Sequence, residues 1–148
     1  MKKHRRQPQR GGFTLIELII VLFILVMVMG IGVVAYQGQR EVAQKRAALA
    51  YVKMLSTQIN NFDNIVGRPP TTAEGLSALV ACPPDVQESR WGGPFLETHA
   101  SSIDPWGNEY QYVCPGRDGR RFDVWSFGPN MMDEGGGGDD IGHWMNDL

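Results

Sequence analysis

The chain has no acidic residue among its first twelve positions and no charged residue from Leu18 to Tyr36. The acid-free start carries five basic residues: Lys2, Lys3, Arg5, Arg6 and Arg10. The uncharged run that follows is apolar for about 20 residues, which as a helix matches a hydrocarbon core of about 30 Å. Because positive charge stays on the cytoplasmic side, the pattern predicts a membrane helix with a cytoplasmic N-terminus and an exported remainder.

This apolar run is not followed by a small-x-small cleavage site, and it is longer than the apolar core of an ordinary signal peptide. Both features argue against a secretory signal that is removed behind the helix. A plain membrane anchor fits the hydropathy equally well. It does not explain Glu17, which lies inside the run, where a carboxylate is costly unless it is paired or reaches the headgroups.

Cysteine and histidine are both scarce, with two cysteines and three histidines in 148 residues. Two cysteines are too few for a structural zinc site without help from histidine. An even pair in an exported domain favours a disulfide between Cys82 and Cys114, and a pair of free thiols is the alternative. No serine or cysteine nucleophile motif accompanies His4, His99 or His143, so we expect no enzymatic activity.

Basic residues are also in the minority after position 12. Nine Lys and Arg residues face sixteen Asp and Glu residues there, which leaves a formal charge of −7. Nucleic-acid binding requires a basic surface, so nucleic acid is not expected as a main partner. The length fits one domain plus a membrane segment.

No strong helix breaker separates the apolar run from residues 37–62. In that segment apolar residues recur at spacings of three, four and seven: Val42, Leu49, Val52, Leu55, Ile59 and Phe62. The pattern predicts one helix of roughly 45–50 residues, about 70 Å long, whose second half packs one face on a globular domain. Gly30 and Gly32 are its weakest point, since glycine costs a helix roughly 1 kcal/mol relative to alanine.

The second half of the chain reads as short elements joined by turns. Thr71 and Glu74 form a predicted capping box before a short helix over residues 72–81. Residues 85–102 are expected to be a loop anchored by Trp91 and Phe95. Asp118-Gly119 is a strong hairpin signal between a strand over residues 110–114 and a return strand over residues 122–127.

The motif Gly12-Phe13-Thr14-Leu15-Ile16-Glu17 resembles the prepilin signal of the type IV pilin-like superfamily. The resemblance implies that prepilin peptidase cuts between Gly12 and Phe13 and that the new amine of Phe13 is methylated. The apolar helix then stays in the mature protein. Glu17 is expected to pair with the amine of Phe13 on a neighbouring subunit and to set the register of a filament. A carboxylate that only reaches the headgroups is the alternative.

Several motifs in order resemble the major pseudopilins of the type II secretion system. They are Pro-Thr-Thr with Glu-Gly-Leu (70–76), Asp-Pro-Trp-Gly-Asn (104–108), Phe-Asp-Val-Trp-Ser-Phe-Gly (122–128) and Asp-Ile-Gly-x-Trp (140–144). The implied fold is α+β and pilin-like: a long N-terminal helix, transmembrane in its first half, packed on a small antiparallel sheet with a C-terminal calcium loop. The expected segments are a leader (1–12), a transmembrane and assembly helix (13–36) and a periplasmic domain (37–148).

The acidic, glycine-rich loop after Phe127 offers hard oxygen ligands, and Ca²⁺ takes about 6–8 of these. The alternating acids of an EF-hand are missing. The resemblance implies one calcium ion in this loop, and a solvated acidic loop is the alternative. The expected ligands are Phe127, which can offer only its carbonyl, together with Asn130, Asp133, Glu134, Asp139 and Asp140.

The resemblance implies a structural subunit of the type II secretion pseudopilus, a periplasmic filament that drives export of folded proteins across the outer membrane. The expected partners are further copies of the chain, minor pseudopilins, prepilin peptidase, an inner-membrane assembly platform and membrane lipid. The implied location is the bacterial inner membrane, crossed once. One alternative is a type IV pilin for adhesion, motility or DNA uptake. Another is a membrane-tethered periplasmic calcium-binding domain that never assembles.

Overall fold

A computed structural model describes residues 12–97 and 103–146, and for residues 30–37 it describes the backbone only. Residues 1–11 of the predicted leader and His99 therefore lie outside the described residues, as do the side chains of residues 30–36 of the predicted membrane segment. The chain divides into two units, Met1–Arg40 and Glu41–Leu148. The predicted segment boundaries after residues 12 and 36 stay predictions.

The longest element is α1, Leu15–Val66, a helix of 52 residues. It confirms the prediction of one long helix, and it runs without a break through Gly30 and Gly32. The helix ends where Gly67 takes a positive φ of 93° and its N–H donates to the carbonyl of Asp63 at 2.8 Å. Glycine adopts this left-handed conformation without steric cost and satisfies a carbonyl of the last turn. Within the part of the chain that the structure covers, no helix has both the length and the apolar character needed to cross a membrane.

The sheet has three short antiparallel strands in the order β1-β2-β3. Strand β1 is Gln111–Val113, β2 is Asp123–Ser126 and β3 is Ile141–Gly142. The first two strands confirm the predicted hairpin, with Tyr112 opposite Val124. The third strand was not predicted, because two residues carry no alternation of apolar and polar side chains. The α+β class is confirmed.

The core of the second unit lies between one face of α1 and the sheet. Five of the six apolar helix residues predicted to face the domain are buried: Leu49, Val52, Leu55, Ile59 and Phe62. They pack with Val124 and Ile141 from the sheet. The prediction was wrong for Val42, which is 48% exposed, because the buried face of α1 begins only at Ala48.

The segment after the capping box and the predicted loop over residues 85–102 differ in part from the predictions. The capping box is confirmed, since the Thr71 N–H donates to Glu74 Oε2 at 2.6 Å and the Glu74 N–H donates to Thr71 Oγ1 at 3.2 Å. The helix behind it, however, is a 3₁₀ helix limited to Gly75–Leu79. The predicted loop contains a four-residue helix, α2, Glu88–Trp91. Trp91 anchors it as expected, because its buried indole donates to the carbonyl of Ala78 at 3.0 Å.

The predicted disulfide is not formed, and both cysteines are free thiols. The Cys82 thiol faces the carbonyl of Val86 at 3.3 Å. The Cys114 thiol faces the carbonyl of Arg121 at 3.4 Å. Each thiol contacts a different backbone carbonyl and not the other sulfur, so the structure corresponds to the free-thiol alternative.

Candidate functional site

The predicted processing site lies directly before α1. Gly12, Phe13 and Thr14 are outside the helix, and Phe13 is 85% exposed. An added Cβ on Gly12 would meet nothing within 4 Å, so space in the folded chain does not explain the glycine. The Gly12–Phe13 bond therefore lies outside the helix and is exposed, which leaves it accessible to a protease.

Thr14 begins the helix by capping it. Its side-chain oxygen accepts the N–H of Glu17 at 3.3 Å, the bond made by an N-cap threonine. Glu17 lies in the first turn, where the positive end of the helix dipole favours a carboxylate. Beyond it the large apolar side chains up to Met29 are exposed in the single chain. The start of α1 thus presents one acid at the head of an uncovered apolar surface.

The acidic loop, defined as residues 128–140, joins β2 to β3. Asp140 is its innermost acid, with a side chain that is 2% exposed. Asp140 Oδ2 accepts the N–H of Glu134 at 3.0 Å and that of Gly136 at 2.7 Å. Its other oxygen, Oδ1, is buried without a hydrogen-bond partner. A buried carboxylate oxygen without a donor is costly, so this oxygen is free to accept a further partner.

The other predicted side-chain ligands make bonds within the loop. Asn130 and Asp133 are exposed, and each accepts the N–H two residues ahead, from Met132 at 2.9 Å and from Gly135 at 3.0 Å. These bonds are Asx turns, which shape the backbone locally. Glu134 reaches across the loop, where its carboxylate accepts the N–H of Asp139.

Asp139 ties the loop to α1. Its Oδ1 lies 3.4 Å from the ammonium of Lys45, which also pairs with Glu41 at 3.1 Å. The bond to Glu41, opposed by partial burial and supported by Asp139, raises the pKa of Lys45 above its ordinary value. Lys45 does not belong to the apolar face of α1, and nothing local in the sequence indicates a partner 94 positions away.

The fit of calcium to these residues is partial. All the predicted donors are oxygens, as Ca²⁺ requires, and Asp140 supplies an unpaired buried one. Among the residues that the structure covers, no three acidic, histidine or cysteine side chains converge on one point. The structure thus brings Glu134, Asp139 and Asp140 into one hydrogen-bonded loop, with Asn130 and Asp133 pointing outward and Phe127 half-buried at the entrance.

Met131 holds a backbone conformation that favours glycine, with φ at 59°. Its side chain is 53% exposed, so little packing offsets the strain. We expect the free energy of unfolding of Met131→Gly to be about 1 kcal/mol higher than that of Met132→Gly. Both variants gain the same backbone entropy in the unfolded state, and only the first relieves a left-handed conformation that costs a residue with a Cβ about that much. The neighbouring Met132→Gly is the control, since Met132 has an ordinary φ and gains only backbone entropy in the unfolded state. Urea unfolding of both variants measures the difference. Equal loss of stability in the two would contradict the strain at Met131.

His143 has a structural role that the sequence did not indicate. Its ring stacks on Phe122 with centroids 5.2 Å apart, and its Nδ1 accepts the N–H of Val124 at 3.3 Å. Burial lowers the pKa of His143 below its ordinary value, although the charge of Asp123 acts in the opposite direction. The imidazole therefore helps to join β2 to the C-terminal segment.

The fold defines the class: a pilin-like subunit, in which a long N-terminal helix carries a small antiparallel sheet. Residues 35–144 match the family model for protein G of the type II secretion system, and residues 8–33 match the prokaryotic N-terminal methylation motif. The chain belongs to the type II secretion system protein G family, the major pseudopilins.

Relatives agree with the family model over nearly the whole length. The type II secretion system core protein G of Dickeya chrysanthemi is 38% identical over 93% of this chain and 88% of its own. That of Vibrio cholerae is 38% identical over 97% and 96%. The crystal structure of the major pseudopilin of enterohaemorrhagic Escherichia coli is similar with a TM-score of 0.60 at 29% identity, covering 72% of this chain and 87% of the other. These matches favour a pseudopilus subunit over the type IV pilin alternative.

Proposed function

We propose that this subunit is held in the bacterial inner membrane by residues 13–36, with its N-terminus in the cytoplasm and residues 37–148 in the periplasm. Prepilin peptidase cuts between Gly12 and Phe13, and the amine of Phe13 is methylated. The exposed bond before α1 supports the cleavage, and the methylation-motif match supports both steps.

The mature chains assemble through their apolar helices into a periplasmic filament whose growth drives folded proteins across the outer membrane. The exposed apolar surface up to Met29 is the observation that carries this step, since a surface so large needs lipid or other helices to cover it. The partners are copies of this chain, minor pseudopilins and an inner-membrane assembly platform. The work is mechanical, and we propose no enzymatic step and no nucleic-acid partner.

Glu17 sets the register of the filament in this proposal. A carboxylate in an apolar surface is stable only with a partner, and after cleavage the amine of Phe13 on the next subunit would supply the opposite charge. We expect Glu17→Ala to leave membrane insertion unchanged and to reduce filament yield at least tenfold. The measurement is filament yield by sedimentation and immunoblotting beside membrane fractionation.

Glu88→Ala is the matched control, because it removes the same charge from an exposed residue of α2. It is expected to assemble normally. Unchanged filament yield in Glu17→Ala would exclude the register role. If the unaltered chain enters the membrane but never forms filaments, this result would favour the alternative of a membrane-tethered calcium-binding domain.

We further propose that the acidic loop binds one Ca²⁺. The buried, unpaired Oδ1 of Asp140 supports this site, since a cation there would supply the missing partner. The carboxylates of Glu134 and Asp139 and the carbonyl of Phe127 are the further candidates, while Asn130 and Asp133 have to turn inward to take part. When bound, the ion supplies stability to the loop and to the strands that it joins.

Calcium is expected to raise the melting temperature of the full chain in detergent by roughly 5–10 °C relative to EDTA. Calcium at about a hundred times its dissociation constant adds about 2.7 kcal/mol to a protein that binds it only when folded. Asp140→Asn keeps the shape of the side chain and removes the charge, so the calcium increment is expected to disappear in it. Equal melting temperatures of the unaltered chain in calcium and in EDTA would exclude the site.

A further inference from the structure

The Asp-Pro-Trp-Gly turn at residues 104–107 carries a buried carboxylate that has no part in the proposed assembly or in binding calcium directly. Asp104 is only 4% exposed. Its Oδ1 accepts the N–H of Trp106 at 3.0 Å and that of Asn108 at 2.9 Å. Its Oδ2 accepts the hydroxyl of Ser126 at 2.6 Å. Three donors on two oxygens fix the orientation of this carboxylate.

Ser126 carries that orientation to the entrance of the acidic loop. It is the last residue of β2 and is fully buried. A hydroxyl has one hydrogen, and here it is used toward Asp104, so the oxygen is left to accept. It accepts the N–H of Gly128 at 3.0 Å. A hydroxyl that donates to a carboxylate is polarised, which makes it a stronger acceptor.

Gly128 is the residue at which the two ends of the loop meet. A Cβ added there would lie 2.1 Å from the carbonyl oxygen of Asp139, so the first and last parts of the loop are in backbone contact. The N–H of Gly128 belongs to the same planar peptide unit as the carbonyl of Phe127. Whatever fixes that N–H therefore also fixes the direction of the Phe127 carbonyl.

We infer that Asp104 and Ser126 are positioning residues of the calcium loop, which act through the Gly128 N–H to orient the Phe127 carbonyl. The inference rests on the proposed calcium site. It makes the turn at residues 104–107 part of the metal-binding machinery, although the turn itself offers no ligand to the ion.

The same turn is also held by α1. Gln44 donates from its side chain to the carbonyl of Pro105 at 3.3 Å, and the adjacent Lys45 pairs with Asp139. Two adjacent residues of α1 thus contact both the turn at residues 104–107 and the C-terminal end of the acidic loop. Order in the loop is therefore connected to α1 at two points within the second unit.

The test is calcium binding by the full chain in detergent, measured by calorimetric titration with calcium chloride. Removing the hydroxyl in Ser126→Ala is expected to weaken calcium binding at least about tenfold, the usual effect of losing a residue that orients a metal ligand. Ser77→Ala is the matched control, because the Ser77 hydroxyl bonds only to the carbonyl of Glu74 and is exposed. It is expected to bind calcium with unchanged affinity.

Asp104→Asn provides a second variant of nearly the same shape. Its amide nitrogen would face Ser126 as a donor, so the hydroxyl could no longer donate there and would lose its polarisation. We expect Asp104→Asn to bind calcium more weakly than the unaltered chain. We also expect its melting temperature to fall less in EDTA than in calcium, each relative to the unaltered chain. A purely structural role would lower both melting temperatures equally and leave the dissociation constant unchanged.

Hydrogen exchange at the Gly128 amide gives a readout that is independent of calcium. The amide is expected to be protected in the unaltered chain in EDTA and to exchange faster in either variant. An unprotected Gly128 amide in the unaltered chain would overturn the inference. Unaltered calcium affinity in Ser126→Ala or Asp104→Asn would overturn the inference alone, whereas absence of calcium binding to the unaltered chain would overturn it together with the proposed site.

Discussion

Replacement of Asp123 by alanine is expected to lower the free energy of unfolding by about 2–3 kcal/mol, the usual contribution of hydrogen bonds to a charged group. Asp123 is fully buried in β2. Its carboxylate accepts bonds from Arg120 Nε at 2.5 Å and from the Arg117 backbone N–H at 2.9 Å and Nε at 3.2 Å. The guanidinium groups of Arg117 and Arg120 lie over the rings of Trp125 and Trp144. The variant leaves both guanidinium groups without their carboxylate partner.

Asp118→Ala is the control, because Asp118 lies in the same hairpin and pairs with Arg120 at 3.5 Å while its side chain is 84% exposed. Exposed pairs contribute little, so this variant is expected to change stability by less than about 1 kcal/mol. Chemical unfolding of both variants measures the contrast. Losses of equal size would show that the buried ion pair is not a main support of the hairpin.

The Asp123 carboxylate also makes the free energy of unfolding depend on pH. Burial raises the pKa of Asp123, and the bonds from Arg120 and Arg117 outweigh it, so the pKa lies below its ordinary value. A carboxyl with a lowered pKa contributes stability that is present above its unfolded pKa of about 3.9 and is lost as the pH falls through its folded pKa. This contribution is expected to be absent from Asp123→Ala.

Gly128→Ala is expected to cost about 3 kcal/mol or more and to abolish calcium binding. The new Cβ would lie 2.1 Å from the carbonyl oxygen of Asp139, which is backbone and cannot rotate away. The residue also has a positive φ of 71°, which strains any side chain. The two ends of the acidic loop would have to separate, and the peptide that bears the Phe127 carbonyl would move with them.

Gly137→Ala tests the same loop without the clash. A Cβ at Gly137 would meet its nearest atom, the Glu134 carbonyl oxygen, at an ordinary 3.7 Å, and its φ is not in the left-handed region. We expect near-normal stability and calcium affinity in this variant, measured by thermal melting and calorimetry. A Gly128→Ala protein that melts and binds calcium like Gly137→Ala would contradict the closure of the loop at Gly128.

The long helix and its buried face could be predicted from the sequence, because the 3.6-residue period of Leu49 to Phe62 is a local signal repeated many times. The β1–β2 hairpin was also local, since a turn signal lay between two strand-forming runs. The four-residue helix α2 and the two-residue strand β3 are too short to show any period, and tertiary contacts decide them.

The contacts that shape the candidate site were not predictable in this way. Ser126 and Asp104 are 22 positions apart, and Lys45 and Asp139 are 94 positions apart. A serine inside a strand and a lysine on a helix carry no mark of a distant partner. The acidic composition of the loop indicated the kind of ion, but only the fold shows that Asp140, and not Asn130 or Asp133, is the buried candidate ligand.

A secretion assay on cells that lack this chain, beside electron micrographs of the same cells, decides between a pseudopilus subunit and a pilin. For a pseudopilus subunit we expect folded exoproteins trapped in the periplasm, with surface pili intact and secretion restored by the unaltered chain. Normal secretion together with lost surface pili would contradict this expectation and would make the chain a type IV pilin.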